Sequence, residues 1–446
     1  MTRTDAPPSA RPDKGLLALL AVCALLAVIY NFTVAIGYGP DEPRHINYIK
    51  LLLEEHTFPR LVFDGTKYVE YKGAHSLHPP LYYSLLVPFY AIVRGAGDNA
   101  WHIVRFLSTG ICIASLVLLY QIALRFGSRR LALLATAQVG LLPMWGMIAG
   151  VINNDSASLF AQSALLWLLA VKFPRDKTVR VAALLGIALG LGALCKATNI
   201  ICGGTSFAAY LVLQSGGIKT ALRDKTTWAR LGTALVVALL VCGAWYARSF
   251  ALYGQLTPIE SGFTNRALGR APEFGALTVM MHPLFVPLLG IAFWSIFYSL
   301  WAQKDWIPEL IRTPIYLGLA AYSLVAVAGN LRSRFVASKA SGEADALEAD
   351  TLPARLALTC SLSAFFVNVA ICAAIAIFKH WGWAEGGRYL LPSLGGASLW
   401  AACGWRSLVG ERGLRVVTVA WCLALIALNG VAVYWLVTFL NPTYVK

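Results

Sequence analysis

The run GLLALLAVCALLAVIYNFTVAIG, residues 15–37, passes directly into the polar stretch YGPDEPRHINYIKLLLEEHTFPRL, residues 38–61. The first is long enough to cross a hydrocarbon core of about 30 Å as a helix. It exceeds the apolar region of a secretory signal and lacks an Ala-x-Ala type exit before Tyr38, so it reads as a retained signal anchor. Apolar runs of roughly 18 to 25 residues recur outward from it along the chain, with short polar gaps between them. Hydrophobic residues make up 58% of the 446 and charged residues 13%, with a mean hydropathy of +0.64. No soluble domain hides that much apolar surface. The fold class is therefore an all-α polytopic membrane protein, because lipid admits only helices and closed barrels.

The net charge of +15 does not point to nucleic acid, because the basic residues concentrate in short loops between apolar runs. Arg3, Arg11 and Lys14 place the N-terminus in the cytoplasm. The same rule puts inside the turns around Arg125, Arg129 and Arg130; Lys172 to Arg180; Lys219 to Arg230; Arg332 and Arg334; and Arg406, Arg412 and Arg415. These alternate correctly if Pro80 to Val93, too short to span, lies in the outer interface. About 11 crossings result, near 15–37, 103–125, 131–150, 156–173, 180–195, 199–214, 231–250, 312–330, 355–378, 389–406 and 415–437. The whole chain is expected to be one transmembrane domain. It carries external segments at 38–102 and 251–311, a cytoplasmic linker at 331–355 and no soluble C-terminal domain. The nine cysteines lie in apolar stretches without Cys-x-x-Cys spacing and read as core residues.

Polar residues are densest just after the first helix. A helix opening at Glu42 or Pro43 sets Arg44, Asn47, Lys50 and Glu54 on one side and Ile46, Ile49 and Leu53 on the other. That pattern is an amphipathic helix on the bilayer surface, with Asp41 able to cap it and Asp41 and Glu42 adjacent at its start. For Asp41, a helix cap is the structural alternative to a chemical role.

Pro40-Asp41-Glu42-Pro43-Arg44-His45 after a first transmembrane helix resembles the first external loop of the GT-C glycosyltransferases, in the branch of protein O-mannosyltransferases and the lipid A aminoarabinose transferase. His78-Pro79-Pro80-Leu81-Tyr82-Tyr83 resembles the opening of that branch's second surface helix. Val151-Ile152-Asn153-Asn154-Asp155 resembles its short second external loop, and Gly190-Leu191-Gly192-Ala193-Leu194-Cys195-Lys196 its Gly-Leu-x-x-x-x-Lys helix end. Gly387-Arg388-Tyr389-Leu390-Leu391-Pro392 resembles its late Arg-Tyr-x-x-Pro segment. Trp245 to Pro258 is similar to a stretch recurring in bacterial members. All of these fall on the outer side of the charge-derived topology.

The resemblance implies a GT-C-like bundle that moves a sugar from a polyprenyl phosphate donor, undecaprenyl in a bacterial inner membrane, to an acceptor hydroxyl at the outer face. It implies inversion in a single displacement, with Asp41 as general base and Glu42 beside it. The donor phosphate falls to Arg44, His78, Lys196 and Arg388, cations that stabilise the charge gained by the leaving group. Asp155, His45, Tyr82 and Tyr389 line the site or meet the acceptor, with His75, His102 and Arg105 as neighbours. Each has a structural alternative. Arg44 and Lys196 can snorkel from helix ends, Glu42 can hold Arg44 or a metal, and Asp155 can cap the helix after it or pair with a cation across the cavity. Tyr82, Tyr83, Trp381 and Trp383 fit the aromatic belt better than sugar stacking. Mg or Mn at Asp41 and Glu42 is permitted, not required, and no firm cofactor is expected. The acceptor is a lipid-linked glycan, lipopolysaccharide or protein; no sugar-specific motif is legible. A lipid or oligosaccharide transporter or flippase is the competing class. It would need ionisable groups at the bilayer midplane and internal repeats, and neither is evident.

Overall fold

The computed structural model describes residues 13–64, 66, 68–257, 317–318, 321–333, 352–379 and 384–440, with the backbone alone for 371–379, 384–388 and 439–440. Most of the 251–311 segment, the Arg332–Arg355 insert apart from its ends, Trp381 and Trp383 lie outside the described residues, as does the side chain of Arg388.

Helix α1 (Lys14–Thr33) is started by Asp13, whose carboxylate accepts from the backbone N–H groups of Gly15 at 2.8 Å and Leu16 at 3.3 Å. Asp13 also accepts from the Tyr120 hydroxyl, and this bond is the main reason its carboxyl sits below the usual range. Then follow α2 (Glu42–Glu54), a two-stranded antiparallel ribbon of β1 (Leu61–Phe63) and β2 (Tyr68–Glu70), α3 (Leu81–Val93) and α4 (Asn99–Ala123). Next come α5 (Arg129–Gly140), α6 (Pro143–Gly150), α7 (Asp155–Trp167), α8 (Val179–Cys195), α9 (Thr198–Gln214), α10 (Ile218–Arg223) and α11 (Lys225–Tyr253). Beyond the undescribed stretches lie α12 (Leu352–Lys379) and α13 (Leu394–Trp435).

Side-chain caps recur at the basic turns. Ser128 starts α5, Thr178 starts α8 and Asp224 starts α11, so each re-entering helix begins with one or two of its orphan N–H groups satisfied by a side chain. Five described helices are long and apolar enough to cross a membrane: Lys14–Thr33, Asn99–Phe126, Lys225–Tyr253, Leu352–Ala370 and Tyr389–Thr438. There are six if α5 and α6, bent by 65° at Pro143, form one broken span. The other described spans expected from the sequence coincide with the shorter helices α7 to α9, and with a helical stretch at 321–333. Gly410, at φ 65°, breaks the helical dihedrals inside α13 and separates the two last expected spans. All described cysteines are unbridged.

Small residues set the closest helix contacts. A Cβ on Gly186 would lie 2.6 Å from the Ala234 carbonyl oxygen, and one on Gly190 would lie 2.6 Å from Val241 Cβ. Four residues apart on one face of α8, these glycines let its backbone rest on α11. Gly150 does the same for α6 against α1, where a Cβ would meet Ala27 O at 2.7 Å. The main core joins α1, α4 to α9, α12 and α13 around Leu116, Leu134, Trp145 and Phe207.

Helix α2 forms where its spacing predicts, but its apolar face does not rest on lipid. Ile46, Ile49 and Leu51 are buried with Tyr82, Tyr83 and Leu86 of α3 and Trp101 and Val104 of α4, in a second core. The aromatic belt expected for Tyr82 and Tyr83 is likewise corrected, since both are fully buried. The periodicity of α3 explains it, because Tyr82, Tyr83, Leu86 and Tyr90 form its inward face.

Candidate functional site

The site is assembled where the motifs singled out in the sequence are fastened to one another. Arg105, on α4, is fully buried and donates from Nε to Glu42 Oε1 at 2.8 Å and from Nη2 to Glu42 Oε2 at 2.6 Å. Its remaining N–H groups reach the carbonyls of Asn31 (2.6 Å), Val34 (2.7 Å) and Ala35 (3.1 Å) where α1 ends. Glu42 Oε2 also accepts from Gly37 N and Gly39 N, and Oε1 from Ile152 N at 2.9 Å. Both carboxylate oxygens are thus committed to an internal cation and backbone amides. Glu42 therefore holds Arg105 rather than Arg44. Arg44 pairs instead with Glu70 at 3.3 Å and is half exposed.

Asp41 precedes α2 but does not cap it. Its backbone is left-handed at φ 56°, its side chain makes no capping bond, and its carbonyl accepts from Arg44 N and His45 N. A non-glycine residue in this region is strained, and such strain gathers at functional sites. The Asn153 side-chain amide donates to Pro40 O at 2.8 Å, and a Cβ on Gly39 would strike Val151 at 2.8 Å. The 151–155 segment is therefore clamped beside Asp41.

Asp155 is the first residue of α7, after Asn154, and its N–H donates to Asn153 Oδ1 at 2.9 Å. Its carboxylate is buried and accepts from Lys196 Nζ. Lys196 follows α8 in extended backbone and its ammonium stands 4.4 Å over the ring of Tyr389. Asn154 donates to Cys195 O and Tyr246 to Ala193 O, holding the end of α8 between α7 and α11. Asp155, Lys196 and Tyr389 thus converge although they are far apart in sequence.

His78 faces this group. Burial, then the positive neighbours His75 and Lys196, hold its imidazole well below its usual range, against the opposing pull of Asp41 and Asp155. Desolvation thus outweighs the attraction of the acids and disfavours the charged imidazole. Its Nδ1 lies 3.0 Å from the Tyr83 hydroxyl, which also meets His45 Nδ1 at 2.8 Å. Burial keeps the Tyr83 phenol protonated. Tyr83 stacks on Tyr48 at 3.8 Å, and Tyr48 in turn donates to His78 O. The Tyr82 hydroxyl meets Ser108 Oγ at 2.8 Å and accepts from Asn153 N at 3.0 Å. His102 bonds Asn31 at the end of α1, apart from the His45 group.

Sequence reasoning did not single out Glu70 or Arg248. Glu70 joins Arg44, His75 and Ser76 N. Arg248 stacks 5.0 Å over Trp245 and donates to Pro59 O at 3.0 Å. The similarity of Trp245 to Pro258 to a recurring bacterial stretch is the signal that points to the latter.

Residues 77–245 match the family described as Dolichyl-phosphate-mannose-protein mannosyltransferase. No curated protein matches the chain. Among solved structures, the Archaeoglobus fulgidus oligosaccharyltransferase in complex with Zn and sulfate is 14% identical, with a TM-score of 0.51 over 94% of this chain and 53% of that one. Its complex with a tethered acceptor peptide gives 0.48 at 14% identity over 95% and 54%. ArnT from Cupriavidus metallidurans bound to undecaprenyl phosphate gives 0.40 at 17% identity over 90% and 79%. The chain spans about half the length of the oligosaccharyltransferase, and that likeness is one of fold.

Proposed function

We propose that this chain, an integral membrane protein of the GT-C superfamily by its fold, transfers a sugar from a polyprenyl phosphate donor to an acceptor hydroxyl. The observation that carries the reading is the left-handed Asp41, at φ 56°, beside the clamped 151–155 segment, whose Asp155 meets Lys196 under Tyr389. Asp41 acts as general base, taking the acceptor proton as its oxygen attacks the anomeric carbon. The C–O bond to phosphate breaks in the same displacement, so the anomeric centre inverts and polyprenyl phosphate leaves. Lys196, oriented by Asp155 and Tyr389, supplies the fixed positive charge for that phosphate. Arg388 serves it with Lys196, and Arg44 at the half-exposed rim guides the donor headgroup.

A polyprenyl phosphate sugar is supported by the match over 77–245 to a family whose description names such a donor. Undecaprenyl phosphate in a bacterial inner membrane is the expected form, with the site on the periplasmic face and the N-terminus in the cytoplasm. The acceptor is a lipid-linked glycan, lipopolysaccharide or a protein. Among the described residues the Asp155–Lys196 pair stands at the start of α7 and the end of α8 and not at the middle of a helix, which favours transfer over transport.

The test is binding of a panel of polyprenyl phosphate sugars to the protein in nanodiscs. Asp41→Asn is expected to bind donor as the wild type does and to lose turnover by two to four orders of magnitude. Arg388→Ala is expected to weaken donor binding at least about tenfold. Absence of donor binding by folded wild type would move the reading to transport.

A further inference from the structure

Three histidines from separate parts of the first loop region meet next to the proposed site. His45 comes from α2, His75 from the turn after β2 and His78 from the turn before α3. The His75 and His78 rings stack at 4.1 Å, and His45 lies 4.6 Å from His75 and 5.7 Å from His78. One nitrogen from each lies within 4.8 Å of the other two, and among the described residues this is the one cluster of three such ligands. The geometry points to a divalent transition-metal site, of the Zn2+, Co2+ or Ni2+ class, held by His45, His75 and His78.

The surroundings fit this better than a packing cluster. His45 and His75 are buried, and His78 is mostly so, which is an unfavourable place for three polar rings unless a ligand organises them. Each Nδ1 is already engaged. Those of His45 and His78 meet the Tyr83 hydroxyl, and that of His75 meets Glu70 Oε1 at 3.3 Å. Metal-bound imidazoles nearly always carry such an outer partner on the second nitrogen, and a carboxylate is one of its usual forms. Glu70 is itself fixed by Arg44 and Ser76 N. One nitrogen of each ring would serve as the ligand.

Three nitrogens around a tetrahedral Zn2+ at about 2.0–2.1 Å stand roughly 3.4 Å apart, so side-chain rotation of about an ångström closes the site. An all-imidazole set favours these ions over Mg2+ or Mn2+, which take oxygen ligands. Three protein ligands leave a fourth position open, the pattern of sites that also bind a small ligand. An ion here would join α2 to the segment before α3 and place a fixed positive charge near the start of α2. The inference concerns metal binding alone and stands whether or not the chain transfers sugar.

The test uses tag-free, metal-stripped full-length protein in nanodiscs, titrated with Co2+ and Zn2+ without donor. Wild type is expected to take up one ion per chain, with the visible d–d absorption of nitrogen-ligated Co2+, and to show three nitrogen neighbours at about 2.0–2.1 Å by X-ray absorption when loaded with Zn2+. His75→Gln and His78→Gln should each abolish the Co2+ band. Glu70→Gln, which keeps every ligand, should keep the stoichiometry and lower affinity about 10- to 100-fold. Absence of stoichiometric uptake by wild type would overturn the proposal. So would an X-ray absorption spectrum dominated by oxygen, or histidine variants that bind as wild type does. Donor binding measured in parallel keeps this outcome separate from the transferase reading.

Discussion

Replacing Glu42 by Gln tests whether this carboxylate is a strut or a chemical group. The change keeps shape and removes charge. On the Oε1 side an amide nitrogen would face the N–H groups of Arg105 and Ile152; on the Oε2 side it would face those of Arg105, Gly37 and Gly39. Either orientation sets donor against donor and leaves the Arg105 guanidinium buried beside a neutral partner. Bonds to a charged group contribute about 1.5–3 kcal/mol each and do not add, while breaking a buried ion pair costs about 3–5 kcal/mol. The expected loss is therefore about 3–5 kcal/mol, a large share of the stability of an ordinary domain, roughly 5–15 kcal/mol. Thermal unfolding in nanodiscs should show a midpoint far below wild type for Glu42→Gln and for Arg105→Met. The double variant should fall well short of the sum, by a coupling of roughly 2–3 kcal/mol. Asp41→Asn should lower the midpoint far less than Glu42→Gln does. A Glu42→Gln protein as stable as wild type but without turnover would refute the strut and make Glu42 a participant in the chemistry.

Lys196→Met should lower both stability and donor affinity, because it strands the Asp155 carboxylate. Adding Asp155→Asn should recover the melting midpoint while donor affinity stays at least about tenfold down, a split that a purely structural pair would not give. Gly190→Val sets new atoms against Val241 and the Ala238 carbonyl, so its midpoint should correspond to a loss of about 1–3 kcal/mol in the same melting assay. Gly204→Ala, where a Cβ meets nothing within 4 Å, should be neutral or stabilising by up to about 1 kcal/mol.

The features legible in the sequence were those written in local periodicity and charge. Apolar length marked α1, α4 and α11, and helical spacing marked α2. What α2 packs on was not legible, because an apolar face reads the same against lipid as against α3 and α4. Asp41 looked like a cap because its residue type favours that place, yet its left-handed backbone turns the side chain out of capping geometry. The partner of Glu42 was hidden for a tertiary reason, since Arg105 lies 63 residues on, inside an apolar helix. The three histidines were each visible, but their meeting depends on α2, β2 and α3 packing together. Asp155 with Lys196 was foreseeable as chemistry and not as contact, since nothing local joins α7 to the end of α8.

The contact of Gly186 and Gly190 with α11 has a consequence for the lipid around the protein. Helix α8 has 17 residues and so measures roughly 25 Å at 1.5 Å per residue. That is shorter than a hydrocarbon layer of about 30 Å. Long side chains between two helices would let them slide or tilt to match a thicker bilayer, but backbone resting on backbone removes that freedom. Mismatch is then absorbed by thinning of the membrane at this edge. Lys196, one residue past the helix, is held at a depth fixed by protein geometry, and the plane of the proposed reaction would stay constant across membranes of different thickness.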